Sequence, residues 1–189
     1  MSIAPFVYSN HCKDLNGDRE IGQYWERQLC VMASEYGKSF TPMQLGRETS
    51  ITAFAKNGGR WNRYTLPDVV IWTAPGEHHE IKHKNPLGNR TNGPSYGLEV
   101  YRFDALLWFA RETGQNVMYT IHNHDKAGGR EVKENDITHW ETANILRLNN
   151  KWHTCRRGPS WVNGQKKEVD IYYWSVSLWT PLSMFWKLV

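Results

Sequence analysis

The stretch from Gly97 to His122 constrains the fold more than any other. GLEVYRFDALLWFARETG sets Val100, Phe103, Leu107 and Ala110 on one stripe at helical spacing, and Gly114 follows as a natural C-cap. NVMYTIH (116–122) comes directly after it and reads as a buried strand. A one-sided helix leading into a buried strand calls for a sheet with helices packed on it.

The flanking segments extend that reading. Residues 1–19 form an irregular arm ending in the turn-rich DLNGD. From Arg19 to about Tyr36, Ile21, Trp25, Leu29 and Met32 recur at helical spacing until Gly37 stops the run. SITAFAKN (50–57) alternates and ends at Gly58-Gly59, a strand and a turn. DVVIW and HHEIKHK are two further short strands joined by a turn around Pro75-Gly76. NDITHWETANILRL reads as a second, shorter helix with Asp136 as its N-cap. EVDIYYWSVSLW is a long strand, paired with a preceding one through RRGPSWVNGQKK. The expected fold class is α/β: a single mixed β-sheet flanked by helices, with a C-terminal aromatic-rich β extension. One domain spans 1–189, divided into the arm, a core over 20–150 and the extension over 151–189.

Composition excludes several classes. A hydrophobic share of 40% and a charged share of 22% over 189 residues belong to a globular chain. No apolar stretch approaches the ~20 residues needed to cross a bilayer, and the N-terminus lacks a signal-peptide layout. Cys12, Cys30 and Cys155 are odd in number and show no CxxC spacing, which fits a reduced, cytoplasmic setting with buried or inert thiols. The net charge is only +4, yet the window between Glu141 and Glu168 holds Arg147, Lys151, Arg156, Arg157, Lys166 and Lys167 and no acid. NPLGNRTNGPS (85–95), with Arg90, is a second acid-free loop. Such patches attract a phosphate backbone; the plainer reading is a solvated basic face.

LPDVVIW (66–72) and EIKHKN (80–85) carry the chemistry. Residues two apart on a strand share a face, so Glu80 and Lys82 point the same way. If the hairpin pairs with an even register sum, Asp68 lies across from them on that face. Two carboxylates converging at a strand end make a hard oxygen site suited to Mg²⁺. A neighbouring lysine can orient or deprotonate a water, or offset charge on a phosphate. An isolated E-x-K is also a common surface salt bridge, here between Glu80 and Lys82 or Lys84.

Pro67-Asp68 followed by Glu80-Ile81-Lys82 resembles the PD-(D/E)xK nuclease superfamily of restriction enzymes, junction resolvases and repair nucleases. IGQYWERQLC upstream, with Gly22 and Glu26, is similar to that superfamily's first helix, and VYRFDALLWFARETGQNVMYTI to the helix, turn and strand after the lysine strand. The resemblance spans roughly residues 20–122 in the expected order. It implies a metal-dependent deoxyribonuclease of restriction-endonuclease-like fold, using Mg²⁺ or Mn²⁺. Asp68, Glu80 and the main-chain carbonyl of Ile81 would be metal ligands, Glu26 would complete the site, and Lys82 would be the catalytic lysine. Glu20, on the same helix as Glu26, fits a first-turn acid favoured by the dipole. Many members carry glutamine and tyrosine in the following helix; here Tyr101 and Arg102 stand there. Arg102 would touch the scissile phosphate or lie on the surface, and Lys84 would reach phosphate or solvate the strand end.

The expected partner is DNA, held by Arg90, Arg156, Arg157, Lys166 and Lys167, with cleavage internal and a homodimer where both strands are cut. The alternatives are an end-processing exonuclease and a non-catalytic module of the same fold that binds nucleic acid or protein. IHNHD (121–125) does not spread its residues as a His-Asn-His nuclease does. His78-His79 and the pair His153/Cys155 lack further ligands at zinc spacing. No glycine-rich phosphate loop precedes a helix. Trp140, Trp152, Trp161, Trp174, Trp179 and Trp186 could stack on bases, though one or two at most would lie at a DNA surface and the rest in the core.

Overall fold

A computed structural model describes residues 15–42, 54–57, 60–63, 67–73, 76–88, 93–128, 135–162 and 165–187. In chain order the elements are α1 (Leu15–Glu35), β1 (Ser39–Pro42), β2 (Phe54–Asn57), β3 (Arg60–Arg63), β4 (Val69–Trp72), β5 (Glu77–Lys84) and β6 (Ser95–Glu99). Then come α2 (Val100–Thr113), β7 (Asn116–Asn123), β8 (Trp140–Asn144), α3 (Ile145–Asn149), β9 (Thr154–Val162), β10 (Gln165–Ser175), β11 (Thr180–Pro181) and α4 (Leu182–Lys187).

Six strands form the central sheet in the order β1-β4-β5-β7-β8-β11. β5 and β7 run parallel, and every other pair is antiparallel. The expected mixed sheet with flanking helices is therefore present. A parallel pair needs a crossover, and the segment β6–α2 supplies it. The stripe Phe103, Leu106, Leu107 and Ala110 packs α2 into a cluster with Tyr119, Ile121 and Trp174. Gly114 ends the helix at φ 67°, a left-handed conformation that favours glycine.

α1 covers the other face. Ile21, Trp25, Leu29, Met32 and Ala33 recur at helical spacing and are buried against Val69, Ile71, Ile81 and Trp140. Each large side chain so buried contributes about 1.5–3 kcal/mol. Trp25 stacks on His122 with ring centroids 3.5 Å apart and on His83 at 4.6 Å.

A three-stranded antiparallel sheet, β6-β10-β9, carries the C-terminal extension. The expected β9–β10 hairpin is present, and β10 also pairs with β6 through Ile171↔Glu99 to Ser175↔Ser95. Among the described residues no helix is long and apolar enough to cross a membrane.

Three sequence expectations differ from the structure. α1 opens at Leu15, inside the stretch expected to be an irregular arm. NDITHWETANILRL is a 3-10 turn over Ile137–His139, then strand β8, then the short α3. Asp136 caps only the turn, accepting from Thr138 N–H at 2.8 Å, whereas Asn144 caps α3 by accepting from Arg147 N–H. Ser95–Glu99, whose end the sequence pattern assigns to the helix, is a strand. Of the cysteines expected to be buried or inert, Cys30 is buried and its thiol is pushed up to about 11 by burial, and Cys155 is exposed.

Candidate active site

The hairpin register decides which side chains meet. β4 and β5 pair as Val69↔His79, Val70↔His78 and Ile71↔Glu77. One further step of the same register brings Asp68 opposite Glu80, the even pairing that unites the two acids on one face. Asp68 Oδ2 accepts the Ile81 N–H at 2.7 Å, which ties the residue before β4 to the middle of β5. On a strand a residue's N–H and C=O point to the same side, so the Ile81 carbonyl is directed toward the Asp68 edge.

Glu80 is fully buried, and its Oε1 lies 2.8 Å from Lys82 Nζ. The same oxygen accepts from the Arg102 guanidinium on the first turn of α2. Glu80 Oε2 is buried with no hydrogen-bond partner among the described residues. Burial pushes against ionisation of Glu80, yet Arg102 and Lys82 together hold its carboxyl below the ordinary glutamate value. Among the described residues Asp68 has no such cation in contact. Burial, and then the negative charge of Glu80, push it up to about 8.

Burial and Arg102 oppose the charge on Lys82, but Glu80, Asp68 and Glu99 outweigh them and raise its pKa above the ordinary lysine value. Lys82 is therefore an ammonium at neutral pH. Lys84 turns inward. Its Nζ donates to the Gly97 carbonyl and lies 5.5 Å from the centre of the Tyr119 ring. Burial first, then Lys82 and Arg102, lower it to about 8. Arg102 is likewise committed to Glu80 instead of lying loose on the surface.

Glu26, on α1, is raised by burial, opposed by Lys82 and raised further by Glu80, so it lies within their electrostatic reach. It is nevertheless not gathered with Asp68 and Glu80. Among the described residues no three His, Cys, Asp or Glu side chains stand close enough to hold one ion. What the site offers a hard cation is Asp68, the unpartnered Oε2 of Glu80 and the Ile81 carbonyl, an oxygen set that suits a Mg²⁺ ion keeping several waters.

Sequence reasoning missed Glu99. It ends β6, stands at the N-cap of α2 without a capping side-chain bond, and accepts from the Ser160 hydroxyl at 2.7 Å. Burial opposes its charge, but Lys82, Arg102 and Lys84 bring it down to about 2. An acid before a helix is too common to signal this role.

The other candidates fall outside the cluster. His122 stacks on Trp25, its Nδ1 is 2.9 Å from His83 Nδ1, and burial lowers it to about 3. His79 is buried against Thr120 and Glu77. These are core histidines. Trp140, Trp174, Trp179 and Trp186 are buried, Trp152 is 68% exposed, and Trp161 lies where only the backbone is described. Arg156, Arg157, Lys166 and Lys167 are exposed on β9 and β10. Arg90 lies outside the described residues.

No protein-family model matches the chain, and no curated protein sequence matches it. Among solved structures it is similar to Hjc, a Holliday junction resolvase from the archaeal hyperthermophile Archaeoglobus fulgidus. The identity is 14%, the alignment covers 88% of this chain and 95% of that one, and the TM-score is 0.49.

Proposed function

We propose that the protein is a Mg²⁺-dependent nuclease that hydrolyses DNA phosphodiester bonds, cutting internally. One observation carries this reading. A fully buried carboxylate has two cations on one oxygen and none on the other, beside a second buried acid that cannot ionise readily without a further cation. A purely structural ion pair would have no need of Asp68 at that point or of an unpartnered Oε2.

A bound Mg²⁺ would supply a polarised water and a Lewis acid for the phosphoryl oxygen. Asp68, Glu80 Oε2 and the Ile81 carbonyl would hold it, with Mn²⁺ able to substitute. Lys82, protonated at neutral pH, would donate to the phosphate oxygens as charge builds on them. That favours a positioning and charge-stabilising role over removal of a proton from water. Arg102 would hold Glu80 Oε1 so that Oε2 faces the ion.

The test is Lys82→Ala incubated with supercoiled plasmid and Mg²⁺, beside calorimetric Mg²⁺ binding. The expected result is loss of cleavage by at least ~100-fold with metal affinity retained. Cleavage near the wild-type rate removes Lys82 from the chemistry. The second reading, a non-catalytic binding module, draws on the saturation of Glu80 Oε1 by Arg102 and Lys82. It would be favoured by a wild-type protein that binds DNA yet cuts none in either Mg²⁺ or Mn²⁺.

A further inference from the structure

The β9–β10 hairpin is a ribbon whose two faces differ in charge. Residues directly opposite share a face, and alternate residues change face. Lys167↔Ser160 and Ile171↔Arg156 therefore lie on one face, together with Glu99, which pairs with Ile171 from the other side. Lys166 and Asp170↔Arg157 lie on the opposite face with Glu168. The four basic residues, contiguous in sequence as two pairs, are divided two and two.

The ribbon also curls toward the first of these faces. Ser160 pairs with Lys167, four residues along β10 from Ile171, the partner of Glu99. On a flat sheet that offset alone is roughly 13 Å, yet Ser160 Oγ lies 2.7 Å from Glu99 Oε1. The face with Arg156 and Lys167 is thus concave, and it opens onto the cluster through Glu99.

Charge separates the faces further. On the convex face Arg157 Nε lies 4.0 Å from Asp170 and its guanidinium donates to the Glu168 carbonyl, and Lys166 shares that face with both acids. On the concave face the one acid among the described residues is Glu99, whose charge is already matched by Lys82, Arg102 and Lys84. Arg156 and Lys167 are exposed there, and no other described acid on that face offsets them.

We infer that the concave face of the β9–β10 ribbon forms one wall of a duplex-DNA cleft, in which Arg156 and Lys167 bind the phosphate backbone as it enters the Glu80–Lys82–Arg102 cluster. This rests on the nuclease reading and specifies which surface delivers its substrate. The Ser160–Glu99 hydrogen bond fixes the wall at the angle that aims it at the site. Arg157 and Lys166, though equally basic and adjacent in sequence, face away.

The experiment compares wild type, Arg156→Ala/Lys167→Ala and Arg157→Ala/Lys166→Ala by fluorescence anisotropy on a short labelled DNA duplex, in Ca²⁺ over a range of salt. All four positions are exposed, and an unchanged thermal midpoint checks that folding is preserved. The concave pair should reduce the slope of log affinity against log salt by about 1.8, or 0.9 for each phosphate no longer neutralised. The convex pair should change it by less than half of that. Equal changes for the two pairs, or a larger change for the convex pair, overturn the inference. If wild type also cuts supercoiled plasmid in Mg²⁺, that failure leaves the nuclease reading standing. A wild-type protein that binds no duplex at low salt overturns both.

Discussion

Asp68→Asn should make the metal-free protein more stable, although it alters a buried residue at the centre of the site. In the unfolded chain Asp68 ionises near 3.8, and in the folded protein near 8, because burial and Glu80 oppose its charge. Between those values the folded state holds a proton that the unfolded state has released, so stability falls as pH rises. An asparagine does not ionise, and its carbonyl still accepts the Ile81 N–H. The gain from the substitution is therefore near zero around pH 4, grows through neutrality and is complete above pH 8. At about 1.4 kcal/mol per pH unit the interval sets a ceiling of roughly 6 kcal/mol. Water entering a site at the strand end reduces the expected gain to about 2 kcal/mol. Urea unfolding of both proteins in EDTA at pH 4, 7 and 9 measures it. A variant that is destabilised equally at all three pH values would mean that Asp68 is an ordinary ionised hairpin residue, and the electrostatic account of the site would be wrong. Adding Mg²⁺ at pH 8 should stabilise wild type and have much less effect on the variant, since a bound cation removes the repulsion that the substitution also removes.

Glu99→Gln should lower stability by about 1 kcal/mol at pH 7, because it removes a carboxylate matched to three cations. With the Glu99 pKa depressed to about 2, the loss should be complete above pH 5 and should fade toward pH 2, as followed by thermal unfolding across that range. Gly97→Ala should cost about 1–3 kcal/mol, since its Cβ would lie 2.6 Å from Tyr173 Cε1 and 2.9 Å from Ile171 Cγ2. A thermal midpoint within error of wild type would show that the Tyr173 ring does not rest on this strand.

The central part of the site is legible in residue order because strand periodicity is a simple rule. Once HHEIKHK is a strand, Glu80 and Lys82 must share a face, and only the parity of the hairpin stays open. Val69↔His79 decides it. The charge partners are not legible in the same way. Arg102 reaches Glu80 only because α2 begins immediately after β6 and turns its first residues toward β5, a tertiary fact with no local signal. WETAN misleads for a different reason. Asp136 and Asn144 are both sound cap residues, and the apolar spacing between them suits a helix. The parallel strand β7 needs a partner on its second edge, and Trp140–Asn144 supplies it through Met118↔Asn144 to His122↔Trp140. The edge requirement outweighs local propensity. The basic run at 156–167 is visible as composition, and strand alternation alone would part Arg156 from Arg157 and Lys166 from Lys167, but which lysine shares a face with which arginine depends on the β9–β10 register, which no local pattern fixes.

The junction of β6 with α2 has a mechanical consequence. There is no turn between them, so Glu99 is at once the last strand residue, the cap of the helix and the anchor for Ser160. Arg102 lies one helical turn beyond it, with its guanidinium on Glu80. Ribbon, strand, helix start and buried carboxylate are thus coupled in series, like a lever with a short arm inside the protein and a long arm in solvent. A pull on the ribbon tip must be absorbed within that single turn, next to the counter-ion of Glu80. Whatever grips the ribbon therefore applies its load directly to the charge balance at the heart of the molecule.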